Sequence, residues 1–333
     1  MAVETKHPQK RLVSRRHLLS TAGKAGGGII ALAAAGYAGY RWPHAAKPAP
    51  TPTATPNPAS SAANVDTFVS RPDLSPPHVT ITHGPRAFAA GSGAPSYIFV
   101  APRGYTTNGP GQAGPMILDT EGRLVWFQHV TQFPMNLQVQ RYQGKPVLTW
   151  WEGTILNGYG EGNGVIYDSS YRQIATVKAG NGLQVDLHEF LLTPQDTALI
   201  TAYHPTTADL SPVGGSQQGQ VLDCVAQEVD VASGKVLFEW RSLDHVGVDE
   251  TYNTLPSSGP FDYFHINSIA VAPDGNLIIS ARNTWTVYKI SRQSGQILWR
   301  LGGKRSDFTM DSGARFFWQH DARPQGANQI TLF

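Results

Sequence analysis

Beyond residue 65 apolar and polar positions alternate in short runs, broken by Gly, Pro, Asp and Asn, and no stretch sustains the 3.6-residue period of a long amphipathic helix. The pattern predicts strands. Four hairpins stand out: PMILDTEGRLVWF (115–127), GVIYDSSYRQIATV (164–177), QEVDVASGKVLFEW (227–240) and YKISRQSGQILWRL (288–301) each read as strand, polar turn, strand. In three of them Gly122, Gly234 and Gly295 stand where a hairpin needs positive φ, and the following apolar strand carries Trp126, Trp240 or Trp299. These tryptophans are expected to pack between modules. The markers Asp119, Asp168, Asp230 and Ser291 recur at roughly 50 to 60 residues, the length of a four-stranded module.

The other half of each module begins on a polar residue and continues as two strands. Asn136 leads NLQVQRYQGKPVLTWW, His188 leads HEFLLTPQDTALITAY, His265 leads HINSIAVAPDGNLIISARN, and His320 leads HDARPQGANQITLF. The repeat predicts an all-β chain, a β-propeller, with an open sandwich as the alternative. Repeats of one fold put equivalent residues at equivalent places, so radial modules would make three distant histidines face one another. The closing QITLF reads as a strand of a module whose second half is absent, and about four and a half modules are counted where propellers close with about four to eight. The C-terminal blades are therefore expected to be missing.

Residues 1–42 differ in kind. Ser14-Arg15-Arg16-His17-Leu18-Leu19 precedes a weakly hydrophobic Gly/Ala-rich stretch (26–40), the pattern of a twin-arginine export signal. The Tat export machinery is the expected partner, with residues 18–40 available as a membrane anchor. Residues 43–65, rich in Pro, Ala, Thr and Ser, read as a flexible linker that cannot bury a core. Residues 66–333 remain for one propeller domain, placed outside the cell, in the envelope or tethered to the membrane.

Separating that segment changes the charge. The chain holds 26 basic and 24 acidic side chains, but eight of the basic ones and one acid fall in residues 1–65, leaving 18 against 23 in the domain. A domain with net charge −5 and no basic run gives no support to nucleic-acid binding. Cys224 is the single cysteine, so no intrachain disulfide forms, and its strand VLDCVAQEVDV predicts a buried, unreactive thiol.

The segments YFHINSIAVAPDGNLIISARN, ILWRLGGKRSDF and FFWQHDARPQGANQITLF resemble the arylsulfotransferase-like proteins, with the likeness running over roughly residues 96–333 and strongest from residue 260. The resemblance implies a six-bladed propeller that moves a sulfuryl group from an aryl sulfate to a phenol, without a nucleotide donor or other cofactor, through a sulfated histidine. Matched by motif, His320 corresponds to the histidine that takes the sulfuryl group, His265 with Asn267 to a second histidine and its asparagine, Arg282 to an arginine on the next strand, and His188 to a histidine of an earlier blade. The chain departs from the better-known enzymes in lacking a cysteine pair.

The residue types suit that chemistry. A sulfuryl group in transfer spreads negative charge over three oxygens, which Arg282 can meet with a planar, always-charged fork. Neutral imidazole is a nucleophile near pH 7, and two further histidines can pass the phenolic proton. Asn267, two residues from His265, would share its face of a strand and orient the bound group. Glu189 and Asp321 would point the other way, as surface or inter-blade groups, and Lys304 and Arg305 would be a solvated loop. His129, His204 and His245 are assigned to loops, with His245, beside Asp244, the outside candidate among them. Trp150, Trp151, Tyr263 and Phe264 lie nearer the histidine ends and could flank an aromatic substrate. Two other functions fit the same pattern: a three-histidine Zn²⁺ or Cu²⁺ site, and a non-catalytic propeller that binds a ligand or partner. The hairpins also resemble those of quinoprotein propellers, but one cysteine rules out the adjacent-cysteine disulfide of the quinoprotein alcohol dehydrogenases.

Overall fold

The computed structural model describes the backbone of Arg11–Val13 and residues 65–82, 97–103 and 111–333. The twin-arginine motif, the apolar stretch after it and linker residues 43–64 lie outside the described residues.

A three-stranded sheet (Tyr97–Val100, Met116–Asp119, Leu124–Phe127) comes first. Three four-stranded sheets follow: Phe133–Tyr142, Lys145–Ile155, Gly160–Tyr167 and Gln173–Val177; Phe190–Leu192, Thr197–Ala208, Gly219–Asp230 and Val236–Arg241; Ile266–Val271, Leu277–Ala281, Thr286–Ile290 and Ile297–Gly302. Arg323–Pro324 and Ile330–Thr331 pair as the start of a further sheet. Within each, strands adjacent in sequence are adjacent in space and antiparallel, the meander of a propeller blade. The chain is all-β and propeller-like.

The four hairpins share one plan, with turns one residue longer in the third and fourth sheets. In each, the register shifts by a bulge just before the turn, at Ile117/Leu118, Ile166/Tyr167, Glu228/Val229 and Lys289/Ile290. The next residue organises the turn. Asp119 Oδ1 accepts from the amides of Glu121 and Arg123, Asp168 Oδ1 from those of Ser170 and Arg172, Asp230 Oδ1 from that of Ser233, and Ser291 Oγ from that of Ser294. Gly122, Gly234 and Gly295 have φ of 84°, 71° and 73°; Tyr171 takes the position in the second sheet at 58°.

The cores lie between successive sheets. Leu199, Cys224 and Trp240 of the third sheet pack with Ile269, Ile279 and Tyr288 of the fourth. Ile166 and Trp151 of the second pack with Phe190 and Ile200 of the third, and Val287 and Ile278 of the fourth with Ala322 and Ile330. A strand in the middle of such a stack is covered on both faces. All five residues of Leu277–Ala281 are buried, whereas the outer strand Val236–Arg241 buries only Trp240. This is why period-two alternation fades in the inner strands.

Trp150, Trp151, Tyr263 and Phe264 are at 0% exposure inside these cores, so none presents a face to a substrate. Trp151 spends its indole N–H on the Val185 carbonyl and Tyr263 its hydroxyl on that of Val246. His204 lies within the strand Thr197–Ala208 rather than in a loop.

Candidate functional site

His188, His265 and His320 each stand just before the first strand of a sheet, and the meander brings those strand entries together. One ring nitrogen from each lies within 4.8 Å of the others. Ring centroids are 5.0 Å apart for His188 and His265, 6.2 Å for His188 and His320, and 6.1 Å for His265 and His320.

Each Nδ1 already has a partner, but not the same kind. Asp186 Oδ1 holds His188 Nδ1 at 2.7 Å, and Asp262 Oδ2 holds His265 Nδ1 at 2.5 Å. His320 Nδ1 instead faces the Trp318 carbonyl at 2.9 Å. A carbonyl only accepts, so His320 carries its proton on Nδ1 and presents the Nε2 lone pair. Two carboxylate-held imidazoles thus flank a carbonyl-held one. Neither aspartate was singled out in the sequence; the signal is an Asp two residues before His188 and three before His265, in DLH and DYFH.

Charge follows these partners. Burial, with the like charges of His188 and His265 and then Arg282 acting the same way, pushes the His320 pKa down to about 4, against the pull of the Trp318 carbonyl. Burial opposes a charge on His188 too, but Asp186, and beyond it Asp262 and Glu189, raise its pKa above the ordinary value. Asp186 is wholly buried. Burial alone would raise its pKa, but His188 and the amides of Gly160 (2.7 Å) and His188 (3.0 Å) hold it low. Thr201 Oγ1 adds a fourth hydrogen bond at 3.0 Å.

Tyr203 supports the pair from below, its ring 6.1 Å from His188 and 5.9 Å from His265, and donates its hydroxyl to the Ile266 carbonyl at 2.7 Å. Burial raises its pKa well above the ordinary phenol value, so it stays a neutral donor. Tyr159 stacks on Tyr203 at 5.0 Å, and a Cβ placed on the neighbouring Gly158 (φ 93°) would come 3.6 Å from His265 Cε1. The turn of the second sheet thus closes over the histidines of the third and fourth.

His320 is positioned by Gln319. Its amide Nε2 reaches Ser280 Oγ and the carbonyls of Ala281 and Thr286, at 3.2, 2.9 and 3.1 Å. Asn267 Nδ2 donates to the Gln319 carbonyl at 3.0 Å. That contact fixes the amide's orientation, because the Asn267 oxygen would be repelled there, and it turns the donors of Asn267 to the backbone beside His320. Asn267 Oδ1 is buried and has no hydrogen-bond partner. The left-handed backbone of His265 (φ 58°) and Trp318 (φ 60°) costs roughly 1–3 kcal/mol each, which these contacts help to sustain.

Arg282 donates its amide to the His265 carbonyl at 2.9 Å, and its guanidinium lies 4.2 Å over the Trp318 ring while one nitrogen reaches Asn283 Oδ1 at 3.0 Å. It is near enough to depress the pKa of His320. Glu189 is buried rather than at the surface, pairing with Arg323 at 2.8 Å and accepting the Ile269 amide at 3.0 Å, so it ties the third sheet to its neighbours. Asp321 is half-exposed and also pairs with Arg323, at 2.7 Å. His245 stacks flat on Trp240, 5.2 Å away, and stands outside the histidine group. Lys304 and Arg305 reach Asp249 from an exposed loop.

Three imidazoles so placed can hold a metal ion as well as a sulfuryl group, since a ligating histidine commonly gives its other nitrogen to a carboxylate or carbonyl. Tetrahedral zinc at about 2.0–2.1 Å from each nitrogen would require the three nitrogens to be only some 3.4 Å apart.

Among solved structures, the chain is similar to a protein of unknown function from Bacteroides caccae, with 12% identity, 70% of this chain and 80% of that chain covered, and a TM-score of 0.32. It is also similar to the Dos1 propeller, with 13% identity, 63% of this chain and 58% of that chain covered, and a TM-score of 0.30. The fold assignment rests on the sheets described above rather than on these likenesses. No curated protein matches the chain. The arylsulfotransferase (ASST) family model matches residues 138–333, more than half of the chain and the whole stretch that carries the three histidines, and the chain belongs to that family.

Proposed function

We propose that the protein transfers a sulfuryl group from an aryl sulfate to a phenol by way of a sulfated His320. The observation that carries this reading is the division of the three histidines: one neutral imidazole with Nδ1 tied to a carbonyl, beside two imidazoles backed by carboxylates. Family membership supports arylsulfotransferase-type chemistry on aryl compounds.

In the first half-reaction His320 Nε2 attacks sulfur, the S–O bond to the aryl group breaks, and the bonding pair leaves on the phenolic oxygen. His188 or His265 supplies its proton, which lowers the charge on a leaving group whose conjugate acid has a pKa near 10. In the second half-reaction the acceptor phenol gives its proton back to that histidine, its oxygen attacks sulfur, and the S–N bond breaks. Arg282 balances the three sulfuryl oxygens, and Asn267 acts through the backbone that presents His320.

The test is intact mass after brief mixing of the domain with nitrophenyl sulfate. An increase of about 80 Da, one sulfuryl group, that phenol discharges and His320→Ala lacks is the expected result. Normal turnover in His320→Ala would sink the assignment. The convergence of three ring nitrogens favours a metal site as the second reading. It requires stoichiometric Zn²⁺ or Cu²⁺ in purified protein, lost on replacing any one histidine, and fully active metal-free protein excludes it.

We further propose that the protein leaves the cell by the twin-arginine route and works in the envelope or outside it, on the strength of residues 14–40.

A further inference from the structure

Beside Arg282 the surface carries large rings that the reaction scheme does not use. Trp318 is 47% exposed, Phe317 54% and Tyr252 38%. Trp285 joins them, with ring centroids 3.7 Å from Tyr252, 4.9 Å from Phe317 and 6.3 Å from Trp318. The four come from three separate segments, so they form a patch rather than a run of sequence. A contiguous aromatic patch is costly to leave in water and marks a binding surface. Its place is informative, because the Trp318 carbonyl holds His320 and the Trp318 ring holds Arg282.

Three further features set it apart from incidental exposure. Trp285 and Trp318 both have left-handed backbone, φ 53° and 60°, which bulky side chains adopt only under constraint. Trp285 Nε1 is buried with no hydrogen-bond partner. Positive charge borders the patch, with Lys304 5.1 Å from the Tyr252 ring centre and Arg282 over Trp318. Rings rimmed by cations fit an extended, electron-rich or anionic aromatic compound.

We infer that Tyr252, Trp285, Phe317 and Trp318 form an aryl subsite that receives a second ring of the substrate while the first sits at His320, so that the acceptors are multi-ring phenols. This rests on the sulfuryl-transfer reading for the identity of the reaction, but not for the binding surface itself. Ring contacts of this kind contribute about 0.5–1.5 kcal/mol each, which is roughly 2- to 12-fold in affinity.

The experiment compares kcat/KM for phenol and for 4-phenylphenol in the parent protein, Phe317→Ala and Tyr252→Ala. Naphthalene sulfonate, which has no sulfuryl group to transfer by S–O cleavage, is titrated in parallel against tryptophan fluorescence. The subsite predicts that the two-ring to one-ring ratio of kcat/KM falls about 3- to 10-fold in each variant, and that quenching saturates and weakens likewise. Turnover with an unchanged ratio and no saturable quenching overturns the subsite. Saturable quenching that weakens in both variants, with no transfer to any phenol, keeps the subsite and overturns the sulfotransferase reading instead. Both substituted side chains are substantially exposed, and thermal melts of the two variants verify that each is folded.

Discussion

Burial works against a positive charge on His188 and His320 alike, and the partner behind each ring decides how far that is offset. His320 has a carbonyl behind it and His188 a buried carboxylate, and their pKa values move in opposite directions. Below about pH 6.5 the unfolded chain protonates His320 while the folded chain does not until about pH 4, so this residue removes stability as pH falls across that window. His188 has the opposite sign: its raised pKa adds stability below about 6.5 that is lost as pH rises through the folded value. Melting temperatures of the parent and His320→Ala should therefore converge, or cross in favour of the variant, between pH 6.5 and 4; a constant difference contradicts the assignment. Asp186→Asn should lower kcat by about 100-fold or more, the typical worth of a positioned acid or base. In the proposed mechanism with His188 as the donor, it gives its proton only when charged, so the alkaline limb of the pH–rate profile should also move to lower pH. A purely structural aspartate would lower the active fraction without moving that limb. The histidines were legible in the sequence because they recur at one place in a repeat. Asp186 and Asp262 were not, since the partner of a side chain depends on a rotamer and a turn that no repeat spells out. The aromatic patch was hidden for a related reason: Tyr252, Trp285 and Phe317 come from different segments, while the tryptophans of the Asn136-led strands, Trp150 and Trp151, go into the core.

At the scale of elements, the hairpins were readable down to the turn residue. An Asp or Ser before a tight turn satisfies local amides wherever it occurs, and that chemistry travels with the sequence. The links between sheets were less readable, because they join distant residues through side chains. Glu189 is the clearest case: read as a surface or inter-blade group, it is the inter-blade one, buried in a clamp with Arg323 and the Ile269 amide, partners that its neighbours in sequence do not name. Burial raises its pKa against the pull of Arg323, so the pair is held at some cost. Arg323→Met should destabilise the domain by about 3–5 kcal/mol in urea unfolding, as expected when a buried charge loses its partner. Adding Glu189→Gln should recover a large part of that loss. A double variant no more stable than the single one would show that the clamp acts through packing instead.

For the molecule as a whole, the repeat length pointed to stacked four-stranded sheets, and the cores between successive sheets are what makes that arrangement favourable. No helix among the described residues is long and apolar enough to cross a membrane. The export proposal makes a separate prediction: replacing Arg15 and Arg16 by Lys should leave the folded protein in the cytoplasm, as shown by fractionation, and unchanged export would remove the twin-arginine route. Within the domain, the turn at Gly158–Gly160 leans on His265 and Asp186, while His188, His265 and His320 each begin a different sheet. Refolding should therefore show a lag between two clocks. Backbone circular dichroism will count sheets as they form, whereas the proposed sulfuryl transfer will count only molecules whose neighbouring sheets have docked, and a chain halted between the two will be fully stranded yet without that activity.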